Sequence, residues 1–316
     1  MLYGPKAGFD SAVLEYDGGE RYLVIATDPT LGVPEETFGF FTYHFASSDV
    51  AVFGGARPRW LVVDFVLPPG TSREFLEETM RTLNAECRRY GSSIIGGGHT
   101  GVYPSVGEPT ATTTAIGLVR KDELKLPPIA KPGDRIIVTG KVALEFAVSA
   151  AHFRADELKK VLTPTEIAEL RAMYRLETAV PDALTARPFV RGGMHDATEG
   201  GLTALHEIAD NSGLGFTVYA GRLELNPPLV RKVLDLYGLE PWDVSSTGTL
   251  IAVAPPPKKS DQLLAEFRGN GIKAFELGEF TEERERVLIE NGGERDFPTF
   301  EGDPYVTLYG SPDPEP

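Results

Sequence analysis

Three things are scarce in this sequence: cysteine, basic charge and long apolar runs. The single cysteine, Cys87, cannot form an internal disulfide or a cysteine-rich metal site, so we expect a reducing compartment. The 31 basic side chains are outnumbered by 46 acidic ones, and the formal charge of -15 repels nucleic-acid phosphates and anionic lipid headgroups. No apolar run approaches membrane-spanning length, and the first residues lack a leader pattern. We therefore expect a cytoplasmic protein that binds neither nucleic acid nor membrane.

The chain is long and apolar enough for two globular domains, with 316 residues of which 41% are hydrophobic. A polar, proline-rich stretch at residues 121–133 is the best candidate linker, and we place the domains at residues 1–127 and 128–316. Strand-like and helical patterns alternate in both halves, which predicts the α+β class. The predicted strands are 22–27, 60–67, 112–119, 135–139, 216–219, 249–254, 274–277 and 286–290, and the predicted helices are 72–90, a segment after Gly201 and 260–267.

Three sequence patterns resemble known ligand-binding motifs but lack the flanking residues or spacing that those motifs require. A G-x-G-x-x-G pattern at residues 96–101 has dinucleotide-binding spacing, but prolines follow where a helix must begin. Gly140 and Lys141 resemble the end of a Walker phosphate loop that lacks its first glycine and its hydroxyl residue. His195 and His206 are too far apart in sequence for a zinc-protease helix. Any ATP must therefore be bound in another way.

Four aspartates lie in short segments that are flanked by small residues or strand ends: Asp10, Asp28, Asp49 and Asp196. Asp28 follows an apolar strand, and Asp49 lies in a predicted turn of small residues, so both carboxylates can extend into a cleft. Several converging carboxylates form a site for a hard cation such as Mg²⁺. For each aspartate alone the alternative is a helix or turn cap, since Asp is common in both positions.

Seven segments, in order along most of the chain, resemble those of one superfamily. They are residues 8–12 (GFDSA), 27–28 (TD), 48–58 (SDVAVFGGARP), 97–100 (GGHT), 132–140 (PGDRIIVTG), 196–202 (DATEGGL) and 246–250 (STGTL). Any one of these matches is weak, but their order is specific. The sequence is similar to the superfamily of the aminoimidazole ribonucleotide (AIR) synthetase PurM, the hydrogenase maturation factor HypE, thiamine monophosphate kinase and selenophosphate synthetase, and it most resembles the HypE-like members.

The resemblance implies a PurM-like two-domain α+β fold, in which the N-terminal domain forms a dimeric β-barrel and the C-terminal domain is an α/β sandwich. It also implies a homodimer that binds ATP with Mg²⁺, and cations suit an acidic protein that must hold a triphosphate. Carried over residue by residue, it makes Asp10, Asp28 and Asp49 the metal ligands, Gly97, Gly98, Thr100 and Arg57 the nucleotide-binding residues, and Lys6, His99 and Asp196 the catalytic candidates.

Plainer interpretations of several residues stay open. The alternative for Lys6 is a solvated terminal lysine, and the alternative for Asp196 is a cap of the following helix. His99 either contacts the ligand or is satisfied within the glycine turn. Arg57 either pairs with an acidic loop or binds an anion. His44 is expected to be a packing residue.

The shared motifs do not fix the reaction. HypE-like factors act through a cysteine at the extreme C-terminus, whereas this sequence ends in SPDPEP. Our first hypothesis is an Mg²⁺-dependent, ATP-using enzyme, a phosphotransferase or a synthetase, that phosphorylates or activates a small molecule or a protein-derived group. The alternative is a non-catalytic nucleotide-binding protein of the HypE-like type, with a maturation or regulatory role.

Overall fold

The computed structural model describes residues 1–4, 8–126 and 129–309. The chain divides into two compact units, Met1–Leu124 and Lys125–Pro316, so the division falls within the proline-rich stretch identified in the sequence. Each unit combines helices with one β-sheet, and the predicted α+β class is confirmed. Within the described residues, none of the helices has the length and apolar character needed to cross a membrane.

The first unit is a five-stranded sheet with two helices. Its elements are β1 (Ala12–Tyr16), β2 (Arg21–Thr30), α1 (Phe38–Gly54), β3 (Arg57–Leu67), α2 (Arg73–Tyr90), β4 (Ser93–Val102) and β5 (Thr110–Arg120). The strand order is β1-β2-β5-β3-β4, and all neighbours are antiparallel except β3 and β4, which run parallel. The three strands predicted in this half lie inside β2, β3 and β5, whereas β4 and α1 were not predicted.

Helix α1 is buried on almost every side, which explains why its sequence shows no amphipathic stripe. All of its residues except Phe45 are buried, and it packs against β2, β5 and α2. Its close approach to the sheet requires Gly54 and Gly117, because a Cβ atom at either position would lie 2.5 Å from a valine methyl group of the facing element. The predicted turn around Asp49 is wrong, since that segment belongs to the helix.

Helix α2 begins one residue later than predicted, after a serine cap. The hydroxyl of Ser72 accepts a hydrogen bond from the Phe75 amide at 3.0 Å, while the neighbouring Thr71 hydroxyl donates to the backbone carbonyl of Pro68. Cys87 lies on the buried side and is 4% exposed. Burial, with a smaller contribution from the charge of Glu86, raises its pKa to about 11, so this thiol stays protonated at neutral pH.

The second unit is a seven-stranded sheet covered by helices. Its elements are β6 (Arg135–Thr139), α3 (Leu144–Phe153), α4 (Ala155–Leu158), α5 (Pro164–Ala172), α6 (Val180–Ala186), β7 (Met194–Asp196), α7 (Leu205–Ser212), β8 (Gly215–Tyr219), α8 (Leu229–Tyr237), β9 (Leu250–Ala254), α9 (Lys258–Gly269), β10 (Ala274–Thr281), β11 (Arg286–Glu290) and β12 (Gly293–Asp296). The strand order is β12-β11-β8-β10-β6-β9-β7, in which only β8 and β11 pair in parallel. The strands predicted at 135–139 and 286–290 coincide with β6 and β11.

Candidate functional site

Asp28 and Asp49 meet where helix α1 lies on the sheet of the first unit. Asp28 belongs to β2 and lies directly opposite Thr113 of β5. The Thr113 hydroxyl donates to the backbone carbonyl of Thr42 in α1 at 2.7 Å, so this face of the sheet is the one covered by the helix. The carboxyl groups of Asp28 and Asp49 are neighbours, and the interaction with Asp49 opposes the rise that burial causes in the pKa of Asp28. Two neighbouring buried carboxylates repel each other unless a proton or a cation lies between them.

The surroundings of Asp28 disfavour its charge in the absence of a cation. Burial raises the pKa of its carboxyl group, and the interaction with Asp49 opposes this shift only in part. The Oδ2 atom of Asp28 is hidden from solvent and has no hydrogen-bond partner among the described residues. An unsatisfied buried oxygen is costly, by about 1–3 kcal/mol, and a bound cation would remove that cost.

Asp10 adds a third carboxylate to this group. It lies just before β1 and is exposed, and one of its oxygens lies within 4.8 Å of an oxygen of Asp49. Asp28 lies within a strand and Asp49 within a helix, so the interpretation of these two residues as caps is wrong. The first unit therefore brings together Asp10, Asp28 and Asp49, and a set of carboxylate oxygens is the donor type that Mg²⁺ prefers.

The glycine segment is an extended strand, so the predicted turn at residues 97–100 is wrong. It forms part of β4, whose parallel pairing with β3 is interrupted where Gly98 and His99 lie opposite the single residue Asp64. The His99 amide donates to Oδ1 of Asp64 at 2.7 Å. A Cβ atom at position 98 would lie 1.4 Å from the same oxygen, so Asp64 explains why this position is glycine. Sequence reasoning missed Asp64, although an aspartate in the middle of an apolar strand is a usable signal.

The imidazole ring of His99, like its backbone amide, is held by a hydrogen bond. Its Nε2 atom is 2.7 Å from the hydroxyl of Tyr103, which fixes the orientation of the imidazole ring. The other residues of the segment, Gly97, Gly98 and Thr100, are exposed. Their backbone and hydroxyl groups are therefore accessible to a ligand.

The sheet register relates this segment to the carboxylates. Asp28, Thr113, Val63 and Gly97 form one row across β2, β5, β3 and β4. Three strand spacings separate Asp28 from Gly97, which is about 14 Å. Arg57 is exposed at the start of β3, about 20 Å along that strand from the residue paired with Gly97. Within the first unit the structure does not bring Arg57 to the glycine segment.

Two candidates remain, Lys6 and Asp196. Lys6 falls outside the described residues. Asp196 ends β7 in the second unit and is 4% exposed. No side chain caps the short helix Gly201–Ala204 or helix α7, so the interpretation of Asp196 as a helix cap is wrong.

The residue before Asp196 is held in place from both sides of its ring. His195 Nδ1 is 2.7 Å from the Asp196 carbonyl oxygen, and Nε2 is 3.3 Å from a carboxylate oxygen of Glu207. Burial lowers the pKa of His195, but the bond to Glu207 and the charge of Asp196 outweigh it and raise the pKa overall. The end of β7 thus carries a polar side chain, His195, whose ring orientation is fixed by hydrogen bonds.

Comparison with known proteins identifies the family. Residues 8–119 match the family described as AIR synthase related protein, N-terminal domain, and residues 131–290 match its C-terminal-domain counterpart. The chain belongs to the AIR synthase related protein family. The chain is 30% identical to carbamoyl dehydratase HypE of Cupriavidus necator over 291 residues, which are 88% of this chain and 78% of that protein.

Solved structures agree with the sequence match. The crystal structure of E. coli HypE, a hydrogenase maturation protein, has a TM-score of 0.75 and 25% identity, covering 90% of this chain and 88% of that one. A structure of HypE in complex with ATP has a TM-score of 0.69 and 23% identity, covering 90% of this chain and 87% of that one. The superfamily resemblance and the PurM-like two-domain fold predicted from the sequence are confirmed.

The contact between Gly98 and Asp64 predicts unequal effects of two alanine substitutions in β4. Gly98→Ala must displace the Asp64 carboxylate and break its bond with the His99 amide, so we expect a loss of about 1–3 kcal/mol of unfolding free energy. Gly96→Ala is the matched control, because a Cβ atom there meets nothing within 4 Å. Urea denaturation of both variants measures the difference. Equal stabilities would contradict the assigned role of Asp64.

Proposed function

We propose that this protein binds ATP together with Mg²⁺ and uses it to phosphorylate or activate a small molecule or a protein-derived group. The observation that carries the proposal is the carboxylate group Asp10, Asp28 and Asp49, in which one buried oxygen of Asp28 has no hydrogen-bond partner among the described residues. A hard divalent cation satisfies that oxygen and offsets the repulsion between neighbouring carboxylates. It also offers positive charge to a triphosphate at the surface of an acidic protein.

The three aspartates hold the cation, and the cation neutralises charge on phosphate oxygens. On β4 the backbone of Gly97 and Gly98 and the hydroxyl of Thr100 are the proposed phosphate contacts. The sheet row that joins Asp28 to Gly97 supports one extended ligand that reaches both places. His99 presents a ring already oriented by Tyr103. Its proposed role is a hydrogen bond to the phosphate or the substrate.

Lys6 and Asp196 are the other catalytic candidates, and Arg57 is the remaining nucleotide contact. Lys6 would bring a mobile positive charge to the phosphate, as lysines do in many phosphoryl-transfer sites. Asp196 would bind the cation or orient the substrate. Arg57 would bind an anionic group of the ligand, or else pair with an acidic loop.

Family membership supports ATP as the nucleotide, since one HypE structure contains ATP. Several relatives carry the name carbamoyl dehydratase HypE. The thiol of this chain, Cys87, is buried and protonated at neutral pH, so we do not assign it a role as acceptor.

ATP or ADP with Mg²⁺ should raise the melting temperature. A ligand that binds only the native state adds about 2.7 kcal/mol of stability at a concentration of 100 times its Kd. Differential scanning calorimetry with millimolar nucleotide, with and without EDTA, measures this effect, and no shift would contradict the proposed binding. Phosphate release from ATP distinguishes the two functions, because a non-catalytic nucleotide-binding protein shows the thermal shift without turnover.

Asp49→Asn keeps the size of the side chain and removes the charge that a cation requires. We expect Mg²⁺-nucleotide binding to weaken by about 1–3 kcal/mol, the range of a lost charge-assisted contact. The melting temperature of the nucleotide-free protein should be unchanged or higher, because an asparagine amide can donate to Asp28 without a shared proton. Isothermal titration calorimetry and thermal melts measure the two effects.

The matched control for this experiment is Asp122→Asn. Asp122 is exposed and accepts hydrogen bonds from the Arg120 guanidinium group, and such surface pairs contribute little to stability. The Asp122→Asn variant should bind nucleotide with the same affinity as the unaltered protein. Unchanged affinity in Asp49→Asn would remove Asp49 from the proposed site.

We also propose that the protein is a homodimer built through the first unit. The face of the sheet away from α1 carries apolar side chains that are only half-buried, and these are Leu23, Ile25, Trp60, Val62, Ile116 and Leu118. Edge strand β4 adds Ile95, which is 58% exposed. A second copy laid on this face would bury the apolar stripe and cover the edge. The dimeric barrel implied by the superfamily has this arrangement.

Light scattering should therefore give about twice the chain mass of 34.3 kDa at micromolar concentration. Leu118→Glu places a charge in the proposed interface and should shift the mass toward the monomer. Lys121→Glu is the control, since Lys121 is exposed in the turn that follows β5. A monomer mass for the unaltered protein would rule out the dimer.

A further inference from the structure

Two glutamates that the proposed nucleotide site does not use lie buried in the second unit. Glu145 is in the first turn of α3 and is 8% exposed, and Glu177 precedes α6 and is 1% exposed. They interact electrostatically, since the negative charge of Glu145 adds to burial in raising the pKa of Glu177. The charge of Asp303 acts on Glu145 in the same direction. This is a group of acidic side chains inside a protein core, where a net charge needs compensation.

The two carboxyl groups differ in how well they are satisfied. Glu145 Oε2 accepts hydrogen bonds from the Ser245 hydroxyl and the Thr247 amide, both at 2.8 Å. Glu177 Oε1 is hidden from solvent and has no hydrogen-bond partner among the described residues, and the same is true of the Thr249 hydroxyl. Thr249 belongs to the loop that binds Glu145. The loop of residues 245–249 thus donates hydrogen bonds to Glu145 and also carries the unsatisfied hydroxyl of Thr249.

The same loop packs directly against the backbone of Glu177. Gly248 has a φ of +88°, and a Cβ atom there would lie 2.7 Å from the Glu177 Cα atom and 2.4 Å from the Thr178 amide nitrogen. Only glycine fits this contact. The unsatisfied oxygens of Glu177 and Thr249 are therefore carried by two segments in direct backbone contact.

The basic residue beside this loop does not neutralise Glu177. The ammonium group of Lys141 donates to Asp182 at 2.7 Å, to the Thr178 carbonyl at 2.8 Å and to the Gly248 carbonyl at 3.1 Å. An ammonium group has three hydrogens, and these three bonds use all of them. Lys141 is therefore committed to Asp182 and to the backbone.

We propose that Glu145 and Glu177 hold a hard divalent cation in the second unit, with hydroxyl oxygen from the adjoining loop. Two carboxylates and one divalent cation are neutral together, and the oxygen of Glu177 that lacks a partner gains one. Carboxylate and hydroxyl oxygens select Mg²⁺, Ca²⁺ or Mn²⁺ over softer metals. All of these residues belong to the second unit, and the proposed site does not depend on nucleotide binding.

Mn²⁺ is the probe, because its free and bound forms are distinguished by electron paramagnetic resonance. The full chain is used without nucleotide and with Asp49→Asn, which weakens the site in the first unit. We expect this protein to retain one bound Mn²⁺ per chain and to lose it when Glu177→Gln is added. Glu169→Gln is the matched control, since Glu169 is exposed on α5, and it should retain the ion.

Equal Mn²⁺ binding with and without Glu177→Gln would overturn the proposal. A glutamate pair that only holds a proton would also overturn it, and would appear as no bound Mn²⁺ together with a higher melting temperature of Glu177→Gln in EDTA. If Glu177→Gln fails to fold, as judged by circular dichroism, an anomalous difference map of Mn²⁺-soaked crystals of the unaltered protein decides. A peak beside Glu145 and Glu177 supports the site, and its absence there excludes it.

Discussion

The close packing of helix α1 on the sheet is the constraint on which the first unit depends. It buries Phe38, Phe40 and Phe53, and each such side chain stabilises the fold by about 1.5–3 kcal/mol. This sum exceeds the roughly 1–3 kcal/mol that an unsatisfied polar group costs, so the helix can carry Asp49 into the interior opposite Asp28. The proposed cation site depends on apolar packing, and not on polar pairing, to hold its aspartates together.

The parts of the fold that follow from the sequence are those with a regular pattern on one face. Strands β6 and β11 and helix α2 were found because apolar residues recur there with a clear period. Helix α1 was missed because it is buried all round, and its small residues near Asp49 read as a turn. Strand β4 was missed because three successive glycines carry no side-chain pattern. Burial on all sides and absence of side chains both erase the periodic signal.

The candidate site, like the fold, could be predicted from the sequence only in part. The order of the motifs identified Asp10, Asp28 and Asp49, and the structure places these three carboxylates together in one unit. The sequence marks Asp64 only as an aspartate within an apolar strand, because its contact with β4 depends on the interrupted pairing of β3 with β4. It could not reveal Glu177, because its proximity to Glu145 arises from a loop distant in sequence. Contacts between distant segments are the information that a single sequence does not carry.

The contact of Asp64 with β4 also has a consequence for strand alignment. In most strands the alternation of apolar and polar side chains selects one register, because a shift by one residue would turn the apolar set toward solvent. The run from Gly96 to Gly98 has no side chains to select among neighbouring registers. The Asp64 carboxylate fits only beside a residue without a Cβ atom and accepts a bond from the next amide. A single acidic side chain thus fixes the register of a glycine tract whose own sequence does not select one.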